Sequence, residues 1–335
     1  MRRSAALTAV LAVMSAFALP QALTSSSKAA RVTTGVMWKD PGNIRSLNLF
    51  YGPGGKRHQP RAPVEFVKED LKGTSPKFDV RDADGEKWRA KLGPEARPET
   101  VAARLLWAVG YPANENYFFS DLKVENLPAQ LARGQSFVAP PDDVKGVRLQ
   151  RHPGGGKKNG VWKWRHNPFT GTREFNGLRV MMALINNWDL KDENNAIYND
   201  PSSPSRELYE VTDVGASFGK TGRSYSEVAS KGNLRSYTHS KFISKIAPDY
   251  VDFNFPTHPP LIDVLIEPSF FWHQMRQRWI GRHIPRADAR WIASLLAQLS
   301  PEQIRDAFRA ANYPPDQIES YAATLESRIA QLNKL

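Results

Sequence analysis

The sequence predicts an α+β fold in which a small antiparallel β-rich lobe precedes a larger, mainly helical lobe, with a cleft between them. Three observations predict it. From Val64 to Lys91, apolar and polar residues alternate with period two in three short runs, the last two joined by the hairpin signal Asp84-Gly85. Beyond residue 160 the apolar residues recur mostly at helical spacing, as in Leu178, Met181, Met182 and Ile185. No stretch repeats internally, and 335 residues suit one large domain or two lobes sharing a cleft.

The elements follow in order. Arg2 and Arg3, the apolar run Ala5 to Met14, and Ala16-Phe17-Ala18 (with Ala22 as a second site) form a signal-peptide pattern over residues 1–22. Export to the periplasm or the exterior is the expectation, with no transmembrane helix in the mature chain. Residues 23–62 carry the loop signals Ser25-Ser26-Ser27 and Gly52-Pro53-Gly54-Gly55, with a short strand expected at Ser46 to Tyr51. The β-rich lobe, 63–150, holds strands from Val64, from Lys77 and from Lys87, then a helix over Pro98 to Val109 closed by Gly110, then strands near Tyr117 to Val124 and Val144 to Gln150. The helical lobe, 151–335, opens with a flexible basic loop at 153–160 and a buried helix at Gly177 to Asn187. Short strands at Ala196 to Tyr198 and Leu208 to Val211 come next. Ser300-Pro301-Glu302-Gln303 is a capping box, and Ile318, Tyr321, Leu325, Ile329 and Leu332 line one face of a terminal helix.

Composition narrows the chemistry. With 41% hydrophobic and 24% charged residues and nine tryptophans, the chain is globular. The absence of cysteine excludes disulfides, thiolate metal sites, a lipoprotein anchor and a cysteine nucleophile. A formal net charge of +12 favours anionic ligands such as phosphate or nucleotide, and the basic residues are spread along the chain without a nucleic-acid-binding motif.

The strongest chemical pattern is Asn187-Trp188-Asp189-Leu190-Lys191-Asp192-Glu193-Asn194, an Asp and an Asn five positions apart in a loop after a helix. In phosphoryl transfer such an Asp orients the nucleophile's proton and such an Asn binds a metal bridging the phosphates. Nineteen positions beyond Asn194, Asp213-Val214-Gly215 places a carboxylate at a strand end, where it can hold Mg²⁺. Upstream, Lys72-Gly73-Thr74-Ser75-Pro76-Lys77 joins two strands, and a short Gly/Ser/Thr loop can offer backbone N–H groups to phosphates.

The run Asp-Leu-Lys-x-Glu-Asn resembles the catalytic loop of serine/threonine protein kinases. Together, Gly-x-Ser-Pro-Lys, Lys91, Asp189…Asn194 and Asp213 resemble a HipA-type kinase within the protein kinase and phosphatidylinositol-kinase-like superfamily, over residues 64 to 220. That resemblance implies a two-lobed kinase-like fold and an ATP- and Mg²⁺-dependent phosphotransferase. Asp189 and Lys191 take the catalytic roles, Lys191 neutralising charge on the transferred phosphate. Asn194 and Asp213 hold the metal. Gly73, Thr74, Ser75, Lys77, Lys91 and Glu99 surround the nucleotide, with Glu99, or Glu95 in its place, paired to Lys91. The acceptor is left open among protein, lipid headgroup and sugar. The sequence departs from the pattern in carrying Trp188 where the family has Arg, Lys191 where a His is usual, and only eight positions between Lys91 and Glu99.

Two rival readings stand beside this one. The same fold can serve nucleotide binding without turnover, as a pseudokinase. Gly215-Ala216-Ser217-Phe218-Gly219 also matches a nucleophile-elbow pattern, with Ser217 as a hydrolase nucleophile, although the preceding chain lacks the repeated βα units that such an enzyme requires.

Overall fold

The computed structural model describes residues 34–73, 75–151, 158–220, 230–255, 261, 263–266 and 268–335. The expected signal peptide, Thr74 and most of the basic loop at 153–160 lie outside these residues.

Alternation along the strands builds a closed sheet. After a three-residue strand β1 (Thr34–Val36), the chain forms β2 (Val64–Glu69), β3 (Lys77–Arg81) and β4 (Lys87–Leu92), then helix α1 (Ala96–Ala108), β5 (Asn116–Glu125), β6 (Val138–Ala139) and β7 (Asp143–Arg151). The order is β4-β3-β2-β5-β7-β6, and β7 pairs again with β4, so five strands close into a ring. Its interior is a core of its own, filled by Phe78, Val80, Trp88, Ala90, Leu92, Val147 and Leu149 among others. On β5 and β7 the inward positions change phase, from Leu122, Val124 and Val144 to Tyr117, Phe119, Val147 and Leu149. The change falls at Gly146, whose φ of 60° turns the strand over at little steric cost.

The other described residues gather mostly around a second, larger core. It comprises β8 (Lys158–Gly160), α2 (Arg173–Leu184), β9 (Asn195–Asp200), β10 (Ser203–Val211), α3 (Leu234–Thr238), β11 (Ile243–Ile246), β12 (Tyr250–Phe253), α4 (Asp263–Ile266), α5 (Pro268–Gln277), β13 (Ile284–Pro285), α6 (Arg286–Leu296), α7 (Pro301–Arg309) and α8 (Pro315–Asn333). Strands β1, β10, β9 and β8 form one sheet, and β11, β12 and β13 another. Helix α1 contributes Val101, Leu105 and Leu106 to this core while also packing on β5 and β7. Buried Arg104 fastens it to β5 by donating to both Asn116 Oδ1 (2.8 Å) and Asn116 O (3.2 Å). No helix among the described residues is long and apolar enough to cross a membrane.

Several expectations hold with shifted edges. The β2–β3–β4 unit is antiparallel, and its second hairpin turns at Asp84-Gly85 with Arg81 facing Lys87. Helix α1 begins at Ala96, so Pro98 lies in the first turn, where no intrahelical N–H partner is lost. Helix α2 begins four residues earlier than expected, because the Thr172 side chain caps it by accepting from Phe175 N. The capping box at Ser300 has both reciprocal bonds. The strand expected at Ser46 to Tyr51 is absent. A 3₁₀ turn at Ile44–Ser46 stands before it, Ile44 and Leu49 are pinned in the helical core, and Gln303 Nε2 donates to the carbonyls of Ile44 and Leu47, which removes them from any ladder. Residues 158–160, expected as loop, pair with β9.

Candidate functional site

Period two decides which β4 residues point outward. Trp88, Ala90 and Leu92 fill the barrel, so Arg89 and Lys91 face the other way. Across the ladders Lys91 lies opposite Lys77 on β3 and Arg148 on β7, which makes a row of three cations on the outer face. Only three residues separate β4 from α1, so the chain doubles back at once. Glu95 and Glu99, one helical turn apart, are thereby laid over that row. This return explains how a Lys and a Glu eight positions apart meet.

Lys91 is 7% exposed, and its Nζ ion-pairs with Glu95, with Glu99 Oε2 at 3.0 Å and with Asp213 Oδ1 at 3.2 Å. Arg148 Nη2 takes the other Glu99 oxygen at 3.1 Å. Lys231 reaches Glu95 from the far side, and Ser75 Oγ donates to Glu95 Oε2 at 2.8 Å. The cluster therefore sets Lys91, Arg148 and Lys231 against Glu95, Glu99 and Asp213. Burial alone would lower the Lys91 pKa, but the carboxylates of Glu99, Asp213 and Glu95 outweigh it and raise it. Burial also opposes ionisation of Glu95, yet Lys91 and Lys231 hold its pKa down at about 2. Glu99 is shifted upward, by burial first, against the pull of Arg148 and Lys91. Glu95, Glu99 and Asp213 bring one oxygen each within 4.8 Å of one another, a span that suits a divalent cation, but the Lys91 ammonium sits among them.

The second half of the site hangs from the C-terminus of α2. Asn186 adopts a left-handed conformation (φ 52°), and Asn187 N reaches back to Met182 O, a Schellman ending that throws the chain outward. The last carbonyls of the helix are taken by Arg328 of α8. Its Nη1 donates to Leu184 O and to Asn186 Oδ1, both at 2.8 Å, from a position that is 1% exposed. Beyond this anchor, Asn187 Oδ1 accepts from Asp189 N at 3.1 Å and Gln277 Oε1 accepts from Leu190 N at 3.2 Å. Asn194 Nδ2 donates to Asp189 O at 2.8 Å, bridging the two ends of the loop. Lys191 Nζ lies 3.1 Å from Asp189 Oδ1.

Backbone bonds then join this loop to Asp213. Asn194 O accepts from Thr212 N (2.8 Å) and Asp213 N (3.3 Å), while Trp188 N donates to Ala216 O and Phe218 N to Ile185 O. Residues 212–218 thus run beside 185–194, and Asp213 links the loop to the Lys91 cluster. Gly215 permits the contact on the other side: a Cβ there would lie 2.8 Å from Glu95 Cβ.

For a hard divalent cation the suitable donors are oxygens. Asn194 spends its amide N–H on Asp189 O, and Asp213 spends Oδ1 on Lys91 and Gly215 N. Asn194 Oδ1 and Asp213 Oδ2 carry no hydrogen bond among the described residues, and the Asp213 side chain is 41% exposed. This donor set fits Mg²⁺.

Of the residues singled out from the sequence, Lys91, Glu99, Asp213, Asn194, Asp189 and Lys191 form one connected chain of contacts, and Ser75 joins it through Glu95. Gly73 and Lys77 stay at the edge: the Gly73 carbonyl accepts from Arg133, and Lys77 Nζ is 4.0 Å from Asp70. Thr74 lies outside the described residues. Glu95 and Glu99 both pair with Lys91, so the two are partners together. Ser217 is fully buried, and its hydroxyl meets no hydrogen-bond partner among the described residues, which leaves it neither substrate access nor a base. Arg148, Lys231 and Arg328 were not anticipated. Only Arg148 left a signal, its place in the alternation of a strand whose pairing with β4 is non-local.

No protein-family model and no curated protein matches this chain. Among solved structures it is similar to a Helicobacter pylori proinflammatory kinase, CtkA, at 9% identity and a TM-score of 0.44, covering 82% of this chain and 98% of that one. It is also similar to the Golgi casein kinase, at 12% identity and a TM-score of 0.31, covering 87% of this chain and 78% of that one. Likenesses of that size carry no weight for function, which rests on the side chains described above.

Proposed function

We propose that this chain is an ATP- and Mg²⁺-dependent phosphotransferase of kinase-like, two-lobed architecture, working outside the cytoplasm on an alcohol-bearing acceptor. The observation that carries the reading is the convergence of Lys91, Asp213, Asn194 and Asp189, whose outermost members lie 122 positions apart in sequence, into one run of direct contacts.

In this reading the barrel and the helical body are the two lobes, and the cation row supplies the phosphate side. Lys91 holds the α- and β-phosphates and is itself held by Glu99, whose second oxygen is fixed by Arg148. Asn194 Oδ1 and Asp213 hold Mg²⁺, which when bound neutralises charge between the phosphates. Asp189 orients the acceptor hydroxyl and draws off its proton as the oxygen attacks the terminal phosphorus, whose bond to the β–γ bridging oxygen breaks so that ADP leaves. Lys191, beside that carboxylate, offsets charge on the transferred group. Ser75 belongs to the loop over the phosphates, with Gly73 and Lys77 at its edge.

Wild-type protein incubated with γ-labelled ATP and Mg²⁺ tests the reading. Transfer of label to the protein itself or to water, abolished in Asp189→Ala, is the expected result. Nucleotide binding without transfer to any acceptor would leave the pseudokinase form of the same site. For export, a mature N-terminus beginning after residue 18 or 22 is expected, and an extracellular protein still starting at Met1 would contradict it.

A further inference from the structure

Glu95 makes three contacts that Lys91 does not need. Lys91 keeps Glu99 and Asp213 without it, and Glu99 keeps Arg148. What Glu95 gathers is two ammonium groups and a hydroxyl from three separate segments: Lys91 on β4, Ser75 in the loop before β3, and Lys231 from the chain leading to α3. Two ammoniums and a hydroxyl converging on one anion is the donor set that a phosphate group takes. The charges agree. With Glu95 the cluster is three cations against three carboxylates. Without it, Lys91, Arg148 and Lys231 face only Glu99 and Asp213, and the surplus is positive.

Lys231 also lies toward the Asp189 side. Its ammonium is 5.9 Å from the Trp188 ring centroid, and Trp188 Nε1 donates to Ser230 O at 3.0 Å, tying that segment to the residue just before Asp189. Trp188, which stands where the resembled family has Arg, is thus the support on which Lys231 rests.

We propose that Glu95 is a place-holding anion and that Lys231 is a ligand of the terminal phosphate of ATP, freed when the phosphate displaces the Glu95 carboxylate. The inference rests on the phosphotransferase reading. It assigns a residue from beyond the metal loop to the group being transferred, and it makes Glu95 a competitor of the nucleotide, in contrast to Glu99, the lasting partner of Lys91.

The test is calorimetric titration of the full chain with Mg-ATP and, separately, Mg-ADP, in wild type, Lys231→Ala, Lys231→Arg and Glu95→Gln, with melting curves to establish folding. Loss of one charge-assisted phosphate contact weakens binding about tenfold or more. Lys231→Ala is therefore expected to weaken ATP by that factor while leaving ADP within about twofold, and Lys231→Arg to recover most of the loss. Glu95→Gln is expected to tighten ATP several-fold, because a competing anion is gone. Equal weakening of both nucleotides in Lys231→Ala, or weaker ATP binding in Glu95→Gln, would overturn the inference while the phosphotransferase reading stands. A folded wild type that binds neither nucleotide would overturn that reading and this inference with it.

Discussion

The two halves of the site are held by different forces. On the barrel side, Lys91, Glu99 and Arg148 are each less than a tenth exposed and depend on one another's charge. On the helical side, the loop carrying Asp189 and Asn194 is held mainly by hydrogen bonds of backbone and amide groups, with Arg328 beneath it. Charge pairs buried this deeply punish the loss of one partner, because the other is left in low dielectric. A loop fixed by its backbone tolerates loss of its functional carboxylate. The site can therefore be broken in two separable ways, one through stability and one through chemistry.

The largest stability effect is expected at Arg148. Arg148→Met leaves the buried Glu99 Oε1 without its guanidinium, with Lys91 still on the other oxygen, and should cost about 3–5 kcal/mol in a denaturant melt. A loss below 1 kcal/mol would mean that the barrel side does not rely on that pair. Arg328→Met comes next. It removes the guanidinium that satisfies Leu184 O, Asn186 Oδ1 and Ser240 Oγ, and should cost about 2–4 kcal/mol. Its mark is a fall in turnover larger than any fall in nucleotide affinity, since the loop it supports bears Asp189, the carboxylate proposed to face the acceptor. Asp189→Asn should sit at the other extreme, leaving stability within about 0.5 kcal/mol of wild type.

pH separates two buried carboxyls, Glu210 away from the cation cluster and Glu95 within it. Glu210 of β10 is pushed up to about 8 by burial, against the help of Asn114, and its Oε1 has no hydrogen-bond partner among the described residues. Its folded value exceeds the ordinary 4.5, so its contribution is greatest below 4.5 and is lost as pH rises through about 8. Glu210→Gln should flatten that decline and gain ~1–3 kcal/mol at pH 8 relative to pH 5. Glu95 runs the opposite way. Depressed to about 2 from 4.5, it stabilises above 4.5 and loses that contribution as pH falls toward 2, so Glu95→Gln should blunt the acid limb of a stability profile. Slopes of the reverse sign in either variant would show that the carboxyl is not in the environment described.

What the sequence disclosed follows the range of the interactions. The first hairpins were legible because alternation and Asp84-Gly85 are local, and the chemistry-bearing residues because their spacing within loops is local too. Arg148 was legible only as an alternating strand position and not as a partner in the site, because it meets Lys91 only when β7 closes the ring on β4, and no local pattern encodes that register. Arg328 acts 142 positions from Asn186, and Lys231 comes from a segment whose placement depends on Trp188. The strand expected at Ser46 to Tyr51 failed for the same reason: a distant glutamine, Gln303, takes carbonyls of the adjoining turn. The terminal helix is legible as an element, and its closing of α2 beneath the loop of Asp189 and Asn194 appears only in three dimensions.

The central claim is that both halves serve one nucleotide–metal site, and a single calorimetric comparison tests it. Titrations of Mg-ATP into wild type, Asp213→Ala and Asp189→Ala should separate the variants. Asp213→Ala should lose most of the Mg²⁺-dependent affinity, because an oxygen donor to the metal is gone. Asp189→Ala should bind nearly as wild type does while turnover falls about a hundredfold or more, since its contribution belongs to the transition state. Undiminished Mg-ATP binding in Asp213→Ala, or no binding by the folded wild type, would contradict the account.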